Sequence, residues 1–368
     1  MKKSIINYGI IVFLVISIFF IIYLENVSKT TIDNVEKPDE VVGEKHSYSI
    51  DIPYNWEECV DEKNSINAII DIPDVIRTKG FQRAVGTVKE VVQEDILDIV
   101  QYYEPVYDNE DEYSVMYSGK DNMFFSFQKK VGSAYLMTDS YIYIRMAYRD
   151  GLSDDYNRDL YMVDIDLENF SIKECDKKLK DIFNKFGMNG DINIIHRALD
   201  YKIMDQEALE LSMDGTETKP DYKWNESDNC FHCTFSQACN EISILPSWRF
   251  KTAGDILNAG AHTLVLNKER VVGFDIDDVY EIEYQQEYET LLEFTEILQI
   301  YRESTKLFTN NHNKEIKEIS LRVIPVPIIE NQYQMIPVWI FYGYWFDEKR
   351  TFEAPFAVMI NAVTGDEL

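Results

Sequence analysis

The chain has 368 residues, of which 45% are hydrophobic and 13% aromatic, so it carries enough apolar material for one or two packed domains. This composition excludes a chain that is disordered over most of its length. The formal net charge of −29 repels phosphate backbones, so we expect no nucleic-acid partner.

An uncharged apolar run occupies residues 4–24 and directly follows Lys2 and Lys3. Its length matches the roughly 20 residues with which a helix crosses a bilayer. It is longer than the apolar part of a cleavable signal peptide and lacks a small-residue cleavage site, although a cleaved signal stays the alternative. Because lysines favour the cytoplasmic side, the sequence predicts a single-pass cell-membrane protein with a cytoplasmic N-terminus and residues 25–368 extracellular.

A polar segment and a β-rich region follow this run. Residues 25–45 are charged and poor in aromatics, which is typical of a linker. Residues 46–172 are predicted to form an N-terminal β-rich α+β lobe. Within it, apolar side chains at helical spacing predict a helix over 81–103, and the stretch 133–149 is predicted to be a strand.

The remainder is interpreted as a helix followed by three strands, used twice. The first module spans 173–285 and begins with a helix over 174–187; the second spans 286–368 and begins with a helix over 287–305. The expected fold class is therefore α+β: a transmembrane helix, then antiparallel sheet lobes with helices packed on them and tandem helix-plus-three-strand modules.

Residues 333–345, "YQMIPVWIFYGYW", are apolar on both faces of a strand. Such a strand has to be covered on both faces. We therefore predict that it is the middle strand of the last module, with Trp339 in the core, the helix at 287–305 on one face and the preceding lobe on the other.

The five cysteines raise the question of a metal or redox site. Cys230 and Cys233 have C-x-x-C spacing, but "CFHCTFS" alternates as a strand and would place the two thiols on opposite faces. Cys175 belongs to the apolar face of the helix over 174–187. We predict small core residues and no metal ligands; a disulfide among Cys230, Cys233 and Cys239 is left open.

The sequence contains no set of residues with the spacing and secondary structure that a known catalytic mechanism requires. "SFQK" from Ser126, "SDN" from Ser227 and "KTA" from Lys251 follow the order of penicillin-binding proteins. That chemistry requires the serine at a helix start, whereas Ser126 lies in a predicted strand, so we interpret the match as coincidence. The acidic clusters at 107–113, 163–169 and 274–283 lack the calcium-loop pattern and are interpreted as solvated strand edges. We predict no catalytic, cofactor-binding or metal-binding residue.

Two C-terminal motifs carry a resemblance. "PVWIFYG" at 337–343 and "INAVTG" at 360–365, with "INAIIDIPDV" at 66–75 and "VVGFDI" at 271–276, resemble a family of uncharacterised exported proteins, mostly lipoproteins, of anaerobic Firmicutes. The last module resembles PepSY-type and YycI-type extracytoplasmic domains. The latter implies a single N-terminal helix and a regulatory role exerted through protein contacts. The lipid-modified cysteine of the lipoproteins has no counterpart here.

These features favour a membrane-anchored, non-catalytic interaction or regulatory module of the cell envelope, with the membrane and another envelope protein as partners. An envelope enzyme built from dispersed acidic residues, and a cation-binding surface protein, are the alternatives. A deep cleft lined by convergent carboxylates would favour the enzyme, and an apolar surface would favour a protein partner.

Overall fold

Strands make up 50% and helices 24% of the residues that the structure describes. The computed structural model describes residues 52–368 except 62, 112–113, 129–131, 149–159, 189, 209, 212–216, 246–261, 308–312, 330, 348 and 350–352. These residues belong to one compact unit, Ser47–Leu368.

The α-helices are short relative to the strands. They are α1 Asp74–Lys79, α2 Gln93–Ile99, α3 Asp139–Tyr148, α4 Ile172–Phe186, α5 Tyr201–Glu207 and α6 Phe294–Leu307. The strands are β1 Asn55–Cys59, β2 Asn64–Asp71, β3 Phe81–Val88, β4 Val106–Glu110, β5 Ser114–Gly119, β6 Met123–Gln128, β7 Ser133–Met137, β8 Ile192–Leu199, β9 Glu210–Leu211, β10 Glu217–Thr218, β11 Cys230–Cys239, β12 Ile242–Ser243, β13 His262–Asn267, β14 Val271–Ile276, β15 Tyr280–Glu289, β16 Asn313–Ile329, β17 Gln332–Phe346 and β18 Glu353–Asn361.

Sheet A contains seven strands in the order β1-β2-β16-β17-β3-β15, with β18 also paired to β17. All of its pairs are antiparallel except β2 with β16. Helix α6 covers one face, where Phe294, Ile297 and Tyr301 join the core that contains Trp339 and Phe341. The middle of sheet A is therefore the long β16–β17 pair, supported by strands from the start of the described chain.

Sheet B contains nine strands in the order β12-β11-β13-β14-β7-β6-β5-β4, with β8 also paired to β11. Helix α4 lies on one face, and its apolar stripe packs on Phe231 and Phe235 of β11. Helices α3 and α5 contribute to the core on the opposite face. Sheet B is thus covered on both faces.

The predicted α+β class and the tandem modules are wrong. The structure is mostly β, with two curled sheets, and each sheet takes strands from distant parts of the chain. The predicted lobe 46–172 is divided between the two sheets. Its strands β1 to β3 pair within sheet A, whereas its strands β4 to β7 pair within sheet B. Local sequence patterns do not encode such long-range pairings.

The prediction of a helix over 81–103 is corrected by the structure. Phe81–Val88 is strand β3; the helical part is α2 at Gln93–Ile99, followed by a 3₁₀ turn at Gln101–Tyr103. Phe81, Ala84 and Val88 are buried at a spacing that also fits a helix, so the pattern was ambiguous. Pairing with β15 and β17 decides it in favour of the strand.

The prediction of one strand over 133–149 is also corrected. Strand β7 ends at Met137 and helix α3 begins at Asp139. Between them, Thr138 Oγ1 accepts a hydrogen bond of 3.1 Å from the backbone N–H of Tyr141, as a helix N-cap does. The Thr-Asp pair was the signal for this helix start.

The structure does not support the predicted single-pass membrane protein. No helix among the described residues is long and apolar enough to cross a membrane. The predicted anchor 4–24 and linker 25–45 themselves lie outside the described residues. The localisation that rested on them is therefore not retained.

Candidate functional site

Strand β11 passes from the core of one sheet into the core of the other. Its residues Phe231, Cys233 and Phe235 lie in the core beneath α4, whereas Cys239 at its end lies in the core of sheet A. The hairpin that β11 forms with β12 therefore ties the two sheets together.

Two amide side chains of this hairpin bind backbone groups of sheet A. Gln237 is buried; its Nε2 donates to Tyr280 O and its Oε1 accepts from Tyr280 N, both at 2.8 Å. Asn240 pairs in the same way with Gln82, donating to its O at 2.8 Å and accepting from its N at 3.0 Å. Each amide side chain thus satisfies the backbone N–H and C=O of one residue, as a residue of a neighbouring strand would.

The turn between β11 and β12 is a two-residue hairpin loop in which both residues have positive φ. Cys239 pairs with Ile242, and the intervening Asn240 and Glu241 have φ of 56° and 65°. Type I′ turns have this geometry, and glycine is favoured at the second position. Glu241 is therefore held in a conformation that a residue with a Cβ adopts at a cost.

Replacing Glu241 with glycine is expected to raise the free energy of unfolding by about 1 kcal/mol, because the left-handed conformation costs a residue with a Cβ roughly 1–2 kcal/mol. Urea denaturation of the full chain measures the change. Glu241→Ala keeps the Cβ and should stay within about 0.5 kcal/mol of the wild type. If Glu241→Ala raised the free energy of unfolding as much as Glu241→Gly does, the destabilisation would come from the Glu241 carboxylate and not from its backbone conformation.

A cleft of about 340 Å³ opens beside this hairpin, between residues of the two sheets. Sheet A contributes residues 72–73 and 321–322, and sheet B contributes 193–195, 234–236 and 241–243. The volume lies within the range of small-ligand pockets. The lining combines apolar side chains, most of them aliphatic, with hydroxyl, amide and charged groups.

Three of the polar side chains of the cleft are held by hydrogen bonds. Asn193 Nδ2 donates to Ser243 Oγ at 2.9 Å, which links β8 to β12. Arg322 is 13% exposed; its Nη2 lies 3.6 Å from Glu318 Oε1 and its Nη1 donates to Leu321 O at 3.1 Å. The cleft therefore presents one nearly buried cation in an apolar wall.

Residues 193–195 of strand β8 line the cleft together with residues 234–236 of β11, with which they pair. The first edge of β8 pairs with β11 along the whole strand. On the second edge, backbone bonds link His196 O to Asp164 N and Ala198 N to Met162 O, each at 2.9 Å. Ile194 and Ile195 precede this pairing and line the cleft.

The prediction that Cys230 and Cys233 lie on opposite faces of a strand is confirmed. Cys233 lies beneath α4, and Cys230 lies in the core on the other side of sheet B. Cys175 is buried in α4, which Ser171 caps at its N-terminus and Gly187, with φ of 70°, caps at its C-terminus. All five cysteines are free.

The structure adds two neighbours that the sequence did not reveal. Cys233 lies directly opposite His196 of β8, and its Sγ is 3.8 Å from Cys175 Sγ. Burial, with a smaller contribution from the hydrogen bond to Cys175, raises the pKa of the Cys233 thiol well above its usual value. The three residues are far apart in sequence, so only strand pairing and helix packing could bring them together.

The serines considered for catalysis do not form a site among the described residues. Ser126 lies in β6, as predicted, and Ser227 lies in a 3₁₀ turn at Glu226–Asp228. Lys129 and Lys251 lie outside the described residues. Of the acidic clusters, residues 107–110 belong to β4, the last strand of sheet B, whose side chains are all exposed.

Taken together, the fold and the cleft define a two-sheet β protein with a cleft at the junction of its sheets. A crystal structure of an uncharacterized protein from Eubacterium rectale is similar, with a TM-score of 0.59, 16% sequence identity, and coverage of 86% of this chain and 93% of that chain. This similarity extends to the fold alone.

No protein-family model matches the chain, and no curated protein matches it. The PepSY-like assignment of the C-terminal segment therefore has no support. The strand that carried the resemblance, β17, pairs with β3 and belongs to the seven-stranded sheet A, not to a three-strand module.

Proposed function

We propose that the protein is a non-catalytic interaction module that binds an extended peptide segment of a partner protein in the cleft between its two sheets. The observation that carries this proposal is the lining of the cleft, where apolar and polar side chains lie beside β8, a strand whose second edge is unpaired before His196 among the described residues. Extended peptides bind at strand edges through backbone hydrogen bonds, and neighbouring pockets select their side chains.

The lining favours binding over chemistry. Among the described residues that line the cleft, Glu241 is the single carboxylate, and no histidine or cysteine is present. A general acid–base pair or an activated nucleophile requires at least two such groups within hydrogen-bonding reach. The alternatives of an enzyme with dispersed acidic residues and of a cation-binding surface therefore receive no comparable support from this site.

Two features of the cleft indicate which peptide segment it would bind. Ile195 is 47% exposed and offers an aliphatic surface in the cleft, so the segment should carry an aliphatic side chain. Arg322 is a nearly buried cation in the wall, so an acidic side chain of the segment would form a charge-assisted hydrogen bond with it.

Peptides selected for binding to the full chain are expected to bind Ile195→Glu at least about 10-fold more weakly, because this change places a charge in the aliphatic wall. Ile195 is 47% exposed, so the fold should tolerate the substitution. Fluorescence anisotropy of labelled peptides measures the dissociation constants.

Ile329→Glu is the matched control, since Ile329 is 62% exposed at the end of β16 and does not line the cleft. It should bind the same peptides as the wild type does. Equal binding by both variants, or a selection that yields no binding peptide, would contradict the proposal.

A further inference from the structure

Two cysteines and a histidine from three separate elements converge beneath α4. Cys175 comes from the helix, Cys233 from β11 and His196 from β8, and one potential ligand atom of each lies within 4.8 Å of the others. All three residues are buried, and the cleft does not include them. Because a helix and two paired strands fix the three positions, the cluster is held by the fold itself.

We propose that these three side chains bind a zinc ion. Zinc in proteins is tetrahedral with Zn–S distances of about 2.3 Å, which places two thiolate ligands about 3.8 Å apart. The separation of the Cys175 and Cys233 sulfur atoms is 3.8 Å. The sulfur atoms therefore already have the spacing that a shared zinc ion requires.

The surroundings of His196 fit a metal ligand. Its side chain is 9% exposed, and its buried Nε2 makes no hydrogen bond, although Asp176 Oδ1 lies 2.8 Å away. Asp164 Oδ1 lies 3.4 Å from Nδ1. Carboxylates beside a metal-binding histidine orient its ring and increase its basicity.

The Asp176 carboxylate lies beside the cluster, 2.8 Å from His196 Nε2. Asp176 follows Cys175 in α4 and is 52% exposed, so the cluster lies at the edge of the core with a carboxylate between it and solvent. That arrangement offers a cation a path to the thiols.

Charge balance favours a divalent ion in this part of the core. Two thiolates and one neutral imidazole carry a charge of −2, which a zinc ion neutralises, so the occupied site adds no net charge to the apolar surroundings. Thiolate and imidazole ligands together suit zinc better than magnesium or calcium, which prefer oxygen ligands.

The test is binding of Zn²⁺ alone to the reduced, metal-free full chain, followed by competition with a chromophoric chelator and by metal analysis. We expect one zinc ion per chain. Cys175→Ala and Cys233→Ala should bind it at least about 100-fold more weakly, and Asp164→Asn about 10-fold more weakly. Co²⁺ in place of zinc should show thiolate-to-cobalt absorption in the wild type.

Cys230→Ala is the matched control, because it removes an equally buried sulfur from the opposite face of the same strand. It should bind zinc as the wild type does and keep the cobalt absorption, even if it is less stable. Absence of stoichiometric zinc binding, equal losses in Cys230→Ala and Cys233→Ala, or a disulfide between Cys175 and Cys233 in the protein as purified would overturn the proposal.

Discussion

Replacing Trp339 with alanine should lower the free energy of unfolding by about 3–5 kcal/mol, from lost burial and the cavity left behind. Trp339 is 1% exposed in β17, and its ring packs on Phe294 of α6 with centroids 5.3 Å apart. A loss of this size is a third or more of a typical domain stability of about 5–15 kcal/mol. Urea denaturation of the full chain measures it.

Trp339→Phe separates packing from the indole N–H. The Nε1 atom of Trp339 is buried and has no hydrogen-bond partner, so phenylalanine removes no hydrogen bond and should cost less than about 1.5 kcal/mol. If Trp339→Ala left the unfolding midpoint unchanged, Trp339 would be an exposed contact and not a core residue.

Replacing Gln237 with leucine is expected to cost about 2–4 kcal/mol. Leucine leaves both the N–H and the C=O of Tyr280 without the partners that Gln237 supplies, and each buried, unsatisfied polar group costs about 1–3 kcal/mol. Urea and thermal denaturation of the full chain should both show the loss.

The same substitution at Gln299 is the control. Gln299 is exposed on α6 and hydrogen-bonds to Glu303 at 2.6 Å, so Gln299→Leu should change stability by no more than about 0.5 kcal/mol. Equal effects at the two positions would mean that Gln237 does not hold the sheets together.

Local features of the fold were predictable from the sequence. Strand β17 is central and buried around Trp339, because a run that is apolar on both faces requires two covering layers. Helix α4 was predicted over 174–187 and spans Ile172–Phe186, and its stripe from Cys175 to Phe186 is buried as predicted.

The overall architecture was not predictable in the same way. Nothing in residues 55–88 indicates that they pair with strands about 190 to 250 residues later, as β2 does with β16 and β3 does with β15. The predicted repeat placed a module boundary at residues 285–286, although strands from both sides of it belong to sheet A. Hydrophobic periodicity shows which face of a strand or helix is buried, but it does not show which strand pairs with it.

In the candidate site, too, the local features were predictable from the sequence and the long-range contacts were not. Alternation along β11 placed Cys230 and Cys233 on opposite faces, which the structure confirms. The neighbours of Cys233 follow from the pairing of β8 with β11 and from the packing of α4, so His196 and Cys175 could not be identified beforehand. The cleft depends on the junction of two sheets that the sequence did not predict.

Because β11 passes through both cores and its hairpin binds sheet A, the two sheets should unfold as one unit. Pulsed hydrogen exchange with mass spectrometry, applied to the full chain across a urea titration, follows β17 of sheet A and β6 of sheet B in one experiment. We expect both strands to lose protection at the same urea concentration. Two separate midpoints would contradict a fold, and a cleft, built on the junction of the sheets.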